Sequence, residues 1–488
     1  MRLWIALYLP RLPLEVFCPN WSADQCSVVI EQEGVLAVSR LAQQMGVRPG
    51  MRRSGALMLA PEAQMHERAP QQEQEALHAV ALAMLQYTPQ VAQGEGAALL
   101  LDVGASLRLF GGIRRLCRLV RDNLQKLGFT GVLGVAPTAR GAWLLARNGG
   151  GRTLKLDSLQ RELQCLPVGL LTPLQRHQRW LDGIGCLSIG DLLRLPRPGL
   201  QRRCGSEVLE MLDAAQGLVP ELHEWLAAPH SFKAKLELFG RIENADLLLA
   251  GAIRLLQQMT GWLCAHQFAV VRIRLLLEHE RGREACPPTP VEVVLAEATW
   301  RDEHIIRLLK ERLGKLELVA PVIGLVLEAP EVEPMAPLSD SLFPEPGGSP
   351  QDRQRLFEVL VARLGAENVL QAYPKADHRP EVANRWVPLH EKVRPADVTA
   401  QLPPRALPRP AFMLPKPIQL LMRDHRPFYG SCLRMVSTAE RIEAGWWSET
   451  QSRDYFIAEG EDNAYYWVYR ERTPGTEETR WYLQGLFA

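Results

Sequence analysis

The apolar positions of the first 140 residues predict four buried strands separated by helices. Runs that are apolar on both faces cover Leu3–Leu9, Ser27–Ser39 with a turn at Glu33-Gly34, Ala97–Val103 and Gly131–Val135. Between them, Glu73–Gln86 and Ile113–Leu127 carry apolar residues at helical spacing. Because strands that are apolar on both faces are buried between layers, the pattern predicts an α+β fold with helices covering a sheet.

Residues 231–332 show the clearest periodicity. Strands are predicted at Lys235–Ile242, Phe268–Leu277, Val291–Ala298 and Pro321–Leu327, with helices at Leu247–Cys264 and Arg301–Leu316. The order β-α-β-β-α-β is that of a split βαβ domain. The preceding stretch, 166–230, is predicted to be helical with short loops.

The composition changes after this domain. Residues 329–350 contain six Pro and two Gly, which is typical of a linker. Residues 428–488 contain 13 of the 33 aromatic residues, and such enrichment predicts a separate, β-rich module. The pattern of 351–417 does not determine a fold.

Charge is balanced overall but uneven along the chain. The net charge of +1 excludes a chain that is basic throughout. However, residues 101–210 carry 17 basic and 8 acidic groups, whereas residues 1–100 carry 7 and 9. Arginine supplies 47 of the 56 basic groups, and its planar fork suits phosphate. A polyanion is therefore expected to bind within 101–210, if one binds.

The cysteines and the N-terminus indicate the compartment. Nine Cys without any Cys-x-x-Cys pair indicate reduced thiols and no zinc site. The N-terminus is apolar for only seven residues before Pro10, too short a run for a membrane span. We expect a cytoplasmic protein with no membrane partner, no metal and no cofactor.

Five short motifs occur in an order that is typical of one enzyme family. They are Ala6-Leu7-Tyr8-Leu9 with Glu15, Gly46-Val47 with Gly50-Met51, Ala97-Ala98-Leu99-Leu100-Leu101-Asp102, Gly134-Val135-Ala136-Pro137-Thr138, and Leu181-Asp182-Gly183-Ile184-Gly185 with Ser188-Ile189-Gly190-Asp191-Leu192. Together they resemble the Y-family (translesion) DNA polymerases. The resemblance implies an α+β multidomain fold with palm, fingers, thumb and a split-βαβ little-finger domain, followed by a linker and a small aromatic-rich C-terminal module.

The resemblance also implies domain boundaries. The palm would span 1–165 with the fingers inserted at about 16–76, the thumb 166–230, and the little finger 231–332. A linker with a clamp-binding peptide would follow at 333–350, then a partly ordered connecting region at 351–417. The last segment, 418–488, would be a protein-docking module.

The catalytic positions of the family are not kept. Where the family has metal-binding carboxylates, this chain has Ala6, Tyr8, Ala97 and Ala98. Arg40 and Gln43 stand at the Tyr and Arg positions that hold the triphosphate, and Ala139 and Trp143 stand at the Lys positions.

Nucleotidyl transfer needs two Mg²⁺ ions held by oxygen ligands. Alanine offers no ligand atom, and a phenol with a pKa near 10 is a poor one. We therefore expect no catalytic residues and no enzyme activity. Two alternatives are an active Y-family polymerase with rearranged metal ligands and a DNA-binding module unrelated to lesion bypass. For the first, the nearby acids are Asp102 and Glu95, and Glu95 is expected on the same strand face as Ala97 because it stands two residues before it.

Similarity to the inactive members of the family implies an adaptor for damage-induced mutagenic bypass. Its partners would be DNA bound without sequence preference, the β sliding clamp, a RecA-fold protein and an error-prone polymerase α subunit.

Bacterial clamp ligands are short extended peptides that end in two apolar side chains. The linker supplies Ser339, Asp340, Ser341, Leu342 and Phe343. An apolar pair within a polar linker indicates a partner that buries it, although Phe343 could instead pack on this chain. A second candidate, Gln484-Gly485-Leu486-Phe487, is expected to pack in a core or to bind a different partner.

Four arginines after the thumb-like turn are candidates for contacts with DNA phosphates: Arg194, Arg197, Arg202 and Arg203. The alternative is an ordinary solvated helical face. The aromatic groups Trp446-Trp447 and Tyr465-Tyr466-Trp467 could stack bases, but a small β core or a protein contact is the more common use of such residues.

Overall fold

The computed structural model describes residues 2–20, 25–280, 286–335, 350–375, 377–389, 408–444, 451–472 and 480–487. It forms two compact units, Met1–Arg363 and Leu364–Ala488. Both contain helices or sheets with their own buried clusters, and the α+β multidomain fold expected from the sequence is confirmed. In the part of the chain described, no helix is both long and apolar enough to cross a membrane.

Within residues 1–164, the described part of the chain forms two sheets and seven α-helices. The strands are β1 (Trp4–Tyr8), β2 (Ser27–Glu31), β3 (Gly34–Val38), β4 (Gln64–Glu67), β5 (Val91–Gln93), β6 (Ala98–Asp102), β7 (Val132–Ala136) and β8 (Gly151–Arg152). The helices are α1 (Leu12–Glu15), α2 (Arg40–Gln44), α3 (Arg53–Leu59), α4 (Pro70–Met84), α5 (Ile113–Leu127), α6 (Ala139–Arg147) and α7 (Leu156–Gln164). The four predicted strand runs and both predicted helices are present.

The larger sheet has the order β5-β6-β1-β7-β8, with β1 antiparallel to both of its neighbours. Alternate residues of β1 point to opposite faces. Ile5 and Leu7 belong to a buried cluster with residues of α4 and α5, whereas Trp4 and Ala6 belong to one with residues of α6. Because both faces are covered, β1 has an apolar or aromatic side chain at every position.

The smaller sheet, β3-β2-β4, belongs to the segment between β1 and α4. β2 pairs antiparallel with β3 and parallel with β4, and the apolar side chains of the segment form their own buried cluster. The turn predicted at Glu33-Gly34 joins β2 to β3, and Glu33 adopts a positive φ of 67° there.

A helical segment follows: α8 (Gln178–Gly183), α9 (Ile189–Arg194), α10 (Arg197–Cys204) and α11 (Ser206–Gln216). The Ser-Ile-Gly-Asp motif begins α9. Ser188 Oγ accepts a hydrogen bond from the Asp191 N–H, and Asp191 Oδ2 accepts one from the Ser188 N–H, each at 3.1 Å. This reciprocal cap satisfies two N–H groups at the start of the helix, which explains the Ser and Asp of the motif.

The split βαβ order is found as predicted. Its elements are β9 (Lys233–Ile242), α12 (Leu248–His266), β10 (Phe268–His279), β11 (Thr289–Thr299), α13 (Asp302–Leu313) and β12 (Val322–Pro334), followed by α14 (Pro350–Leu364). The sheet order is β11-β10-β12-β9, and every pair is antiparallel. Each crossover helix therefore spans one strand contributed by the other half.

The second unit is built from strands. They are β13 (Leu370–Pro374), β14 (Asn384–Pro388), β15 (Phe412–Arg423), β16 (Arg426–Tyr429), β17 (Ser431–Cys432), β18 (Arg434–Met435), β19 (Glu440–Ala444), β20 (Gln451–Glu459), β21 (Tyr465–Glu471) and β22 (Arg480–Leu486). β13 and β14 pair as a hairpin, and the remaining eight form one sheet. Its aromatic residues pack on each other: the rings of Tyr455 and Trp467 stack with centroids 4.3 Å apart. The predicted β-rich module is confirmed.

Candidate functional site

Of the four positions at which the sequence predicts lost catalytic carboxylates, three lie on one face of the five-stranded sheet. Tyr8 of β1 pairs with Ala98 of β6, and Ala6 points to the same face as both. Ala6 and Ala98 are completely buried. Ala97 points to the opposite face and packs against the cluster there.

Trp143 of α6 belongs to the buried cluster that contains Ala6 and Ala98. Its indole Nε1 donates to the carbonyl oxygen of Glu95 at 3.1 Å. The guanidinium groups of Arg140 and Arg147 lie 5.1 and 4.9 Å from its ring centroid. A large apolar ring thus fills space on the sheet face that carries Ala6 and Ala98.

Glu95 was expected to share a strand face with Ala97, and this expectation is wrong. β6 begins only at Ala98, and Gly96 has a positive φ of 71°, which turns the chain between the two residues. The Glu95 carboxylate instead binds Arg140 at 2.9 Å. Alternation of side chains along a strand does not extend through such a turn.

A cleft of about 530 Å³ opens beside Tyr8 and Ala97. Two carboxylates line it, and arginine binds each of them. Glu95 binds Arg140, and Glu73 accepts two hydrogen bonds from Arg68 at 2.8 and 2.9 Å. Among the residues that the structure describes, no group of three or more His, Cys, Asp or Glu side chains could hold a metal ion.

A carboxylate of the chain itself occupies the N-terminus of α6. Glu221 accepts hydrogen bonds from the backbone N–H groups of Ala139 and Arg140 at 2.9 and 3.0 Å. Burial raises the pKa of Glu221, and the two N–H bonds and the charge of Arg140 oppose the rise. The N–H groups that could otherwise receive an anion at this helix end are therefore already bound.

The four candidate DNA-binding arginines lie together on α9 and α10 but differ in their contacts. Arg194 is largely exposed and lies 3.3 Å from Asp191. Arg197 makes two hydrogen bonds to Asp213 of α11, at 3.0 and 2.6 Å. These pairs leave less charge for a ligand than the sequence alone suggests.

The other two arginines of the group lie near the end of α10. The Arg203 guanidinium covers the ring of Trp180 at 4.4 Å, and Arg202 binds the carbonyl oxygen of Pro198 in its own helix. Neither of these contacts neutralises the charge.

The clamp-peptide candidate Ser339–Phe343 and the pair Trp446-Trp447 lie outside the described residues. The rival Gln484-Gly485-Leu486-Phe487 lies at β22, where Gln484 is completely buried. Its side chain accepts from the Tyr455 hydroxyl at 2.6 Å and donates to Glu381 at 2.7 Å. This segment belongs to a sheet, in keeping with the expected core role. Tyr466 and Trp467 are buried in the same sheet, whereas Tyr465 is exposed.

The contacts among Glu95, Arg140, Trp143 and Arg147 were not predicted from the sequence, although the helical spacing of the last three residues indicates part of them. Arg140 and Arg147 stand three residues before and four residues after Trp143, the spacing that places side chains on one helix face. That spacing predicts arginines beside the ring. The partner Glu95 is distant in sequence and could not be found in this way.

Comparison with known proteins agrees with this organisation. Residues 17–147 match the impB/mucB/samB family model. Protein ImuB of Caulobacter vibrioides, from two strains, is 28% identical over 474 residues, which cover 91% of this chain and 100% of that protein. Among solved structures, a Dbh ternary complex has a TM-score of 0.39 at 17% identity, covering 67% of this chain and 98% of that one. DinB from Sulfolobus solfataricus has a TM-score of 0.36 at 16% identity, with the same coverage. The chain is therefore similar to ImuB along nearly its whole length, and residues 17–147 match the impB/mucB/samB family model.

Proposed function

We propose that the protein is a non-catalytic, Y-family polymerase-like adaptor for damage-induced mutagenic translesion DNA synthesis. It binds DNA without sequence preference and links the β sliding clamp to an error-prone polymerase α subunit and an ImuA-like RecA-fold protein. The similarity to ImuB over 91% of the chain supports this role.

The observation that carries the proposal is the burial of Ala6 and Ala98 beside Trp143. A two-metal site needs carboxylates that face a solvated cleft, where they can bind both ions and the phosphates. Here that face of the sheet is apolar and covered. If the metal ions contribute about 7 kcal/mol to transition-state stabilisation, their loss costs about five orders of magnitude in rate.

The nearby acids do not favour an active site with rearranged ligands. Glu95 and Glu73 are both bound to arginine. Asp102 pairs with Trp4, four residues along β1 from Tyr8, and its carboxylate lies 3.7 Å from Arg2. Each of these three acids would have to leave a guanidinium partner to bind a metal ion.

A primer-extension assay tests the catalytic part of the proposal. The full-length chain, with Mg²⁺ or Mn²⁺, should bind primer–template DNA and add no nucleotide. Extension that depends on metal and persists after contaminating polymerases have been removed would contradict the proposal.

A clamp titration tests the adaptor part. Leu342→Ala with Phe343→Ala should abolish clamp binding, since loss of a buried anchor typically costs about 2 kcal/mol or more, roughly thirtyfold in affinity. Ser349→Ala, in the same linker but outside the peptide, serves as the control and should bind as the wild type does. Ser339→Gln with Asp340→Leu, which restores the typical clamp-binding sequence, should tighten binding. Clamp affinity that is unchanged by the double alanine substitution would show that the linker is not the site.

A further inference from the structure

A second pocket lies at the β7–β8 edge of the five-stranded sheet, with a volume of about 490 Å³. Three arginines line it, Arg114 and Arg121 of α5 and Arg152 of β8. Its other lining residues are apolar or glycine: Cys117, Gly131, Val132, Leu133, Val135, Gly149, Gly150 and Gly151. Among the described residues, no carboxylate lines this pocket.

Helix periodicity and strand register bring the three arginines together. Arg114 and Arg121 are seven residues apart and therefore share one face of α5. Gly151 pairs with Gly134, and a Cβ on either glycine would point to residues of α6. The next residue, Arg152, therefore points to the α5 side of the sheet. This is the face opposite to Ala6 and Ala98.

The charges in the pocket are not neutralised within the described part of the chain. There, Arg114, Arg121 and Arg152 form no ion pair with Asp or Glu, in contrast to Arg194 and Arg197. Burial raises the pKa of Cys117 at the pocket wall, while the positive charges of Arg121 and Arg152 oppose the rise. Guanidinium groups that are gathered without a counter-charge favour the binding of an anion.

The glycine turn shapes the pocket without supplying charge. Gly149 and Gly150 have φ values of 95° and 100°, which favour glycine. Their N–H groups bind the carbonyl oxygens of Ala146 and Leu145 at the end of α6, so neither is free for a ligand. A Cβ on Gly149 would meet no atom within 4 Å, which shows that open space lies beside the turn. Recognition therefore has to come from the arginines.

We propose that this pocket binds phosphate groups of a nucleic acid strand, as a contact separate from the cleft beside Tyr8. Arginine forks pair with phosphate through two parallel hydrogen bonds. Three unpaired forks around one open pocket fit successive phosphates better than a single small anion. The residues lie within the basic stretch 101–210, although on different elements from Arg194 and Arg197. This proposal does not depend on the adaptor role or on the clamp.

The test uses the full-length chain and a fluorescently labelled single-stranded oligonucleotide. Binding is measured by anisotropy as the salt concentration is raised. The variant carries Arg114→Gln, Arg121→Gln and Arg152→Gln. The matched control carries Arg52→Gln, Arg307→Gln and Arg353→Gln, three exposed arginines elsewhere in the first unit, so both lose the same net charge.

The slope of log affinity against log salt should fall by about two in the pocket variant, since each lost phosphate contact removes about 0.7 for a single strand. The control should keep the wild-type slope. Equal slopes for the two variants would overturn the proposal.

Two further ligands separate the possible sources of the anion. A labelled nucleoside triphosphate that binds the wild type but not the pocket variant, with the oligonucleotide slope unchanged, would assign the pocket to a free nucleotide and overturn its assignment to a strand. If polyglutamate binds the wild type but not the pocket variant, again with the oligonucleotide slope unchanged, the pocket binds an acidic protein segment. That result would also overturn the proposal. A lower salt slope for the oligonucleotide in the pocket variant, with unchanged binding of the nucleoside triphosphate and of polyglutamate, supports the proposal.

Discussion

At the residue scale, one buried carboxylate of the second unit holds three arginines. Asp454 of β20 binds Arg441, Arg470 and Arg472 at 3.0, 2.9 and 2.7 Å. Burial alone would raise the pKa of Asp454. The hydrogen bonds and charges of the three arginines outweigh burial and hold the pKa at about 2. The contact fastens β19 and β21 to the strand between them.

Asp454→Asn should destabilise the second unit by about 2 kcal/mol at neutral pH, because a carboxyl whose pKa is lower in the folded state stabilises that state when ionised. This contribution is fully present above about pH 4 and is lost as the pH falls through about 2. The free energies of unfolding of wild type and variant are measured by urea unfolding, followed by near-UV circular dichroism. Their difference should decrease as the pH is lowered from about 4 to about 2. The control is Asp462→Asn, which alters a carboxylate that accepts from the Tyr466 hydroxyl at 3.0 Å. A difference in unfolding free energy that does not change with pH would contradict the stabilising role assigned to the ionised Asp454 carboxylate.

At the scale of elements, α12 of the split βαβ domain packs closely on α4. A Cβ on Gly261 would lie 1.9 Å from the carbonyl oxygen of Leu82, so only glycine permits this approach. Gln257 of the same helix bridges Asn123 of α5 and Asp302 of α13, at 2.7 and 2.6 Å. The domain is thus joined to the helices of the five-stranded sheet by a close crossing and a polar bridge.

Gly261→Ala should separate α12 from α4 and lower the free energy of unfolding by about 1–3 kcal/mol, the usual cost of overpacking. Gly55→Ala in α3 is the matched control, since a Cβ there meets no atom within 4 Å. That change should be neutral or stabilising by up to about 1 kcal/mol. Thermal unfolding of the two variants distinguishes these outcomes, and equal effects would show that the crossing tolerates a methyl group.

The pattern of apolar residues predicted the helices and strands well, but it did not predict which of them contact each other. Ile113–Leu127 was predicted with the bounds observed, because its apolar face is regular and Gly128 caps its end with a φ of 85°. The crossing at Gly261 and the pairing of Arg197 with Asp213 were not predictable, since helix periodicity does not say which helix covers a face. At the candidate site, the sequence motifs grouped Ala6 and Ala97 in one predicted site, but strand register was needed to place Ala97 on the opposite face from Ala6.

At the scale of the first unit, seven of the 17 basic residues in 101–210 lie in two groups. One is the group on α9 and α10, Arg194, Arg197, Arg202 and Arg203, and the other is the pocket between α5 and β8. The excess of basic residues along the sequence indicates a polyanion partner. The ion pairs within the protein determine how many of those residues remain available to bind one.

Changing Arg194, Arg197, Arg202 and Arg203 together to Ala should weaken binding to DNA of any sequence and flatten its salt dependence. Arg197→Ala alone should change the slope least, because Asp213 already binds that guanidinium. Salt titrations with two unrelated duplexes measure both effects. An unchanged affinity and slope in the fourfold variant would assign these arginines to an ordinary solvated face.

The position of α6 across the sheet has a consequence for engineering. A Cβ on Gly134 would lie 2.0 Å from the Ala142 carbonyl oxygen, so the helix rests directly on β7, and Ala6 and Ala98 belong to the buried cluster it forms with the sheet. Carboxylates introduced at these two positions would be unsolvated charges, each costing several kcal/mol. Point substitutions would therefore unfold this region before they rebuilt a metal site. To build a metal site on this face, a designer would first have to move α6 away from the sheet, so that substitution of one residue at a time would not suffice.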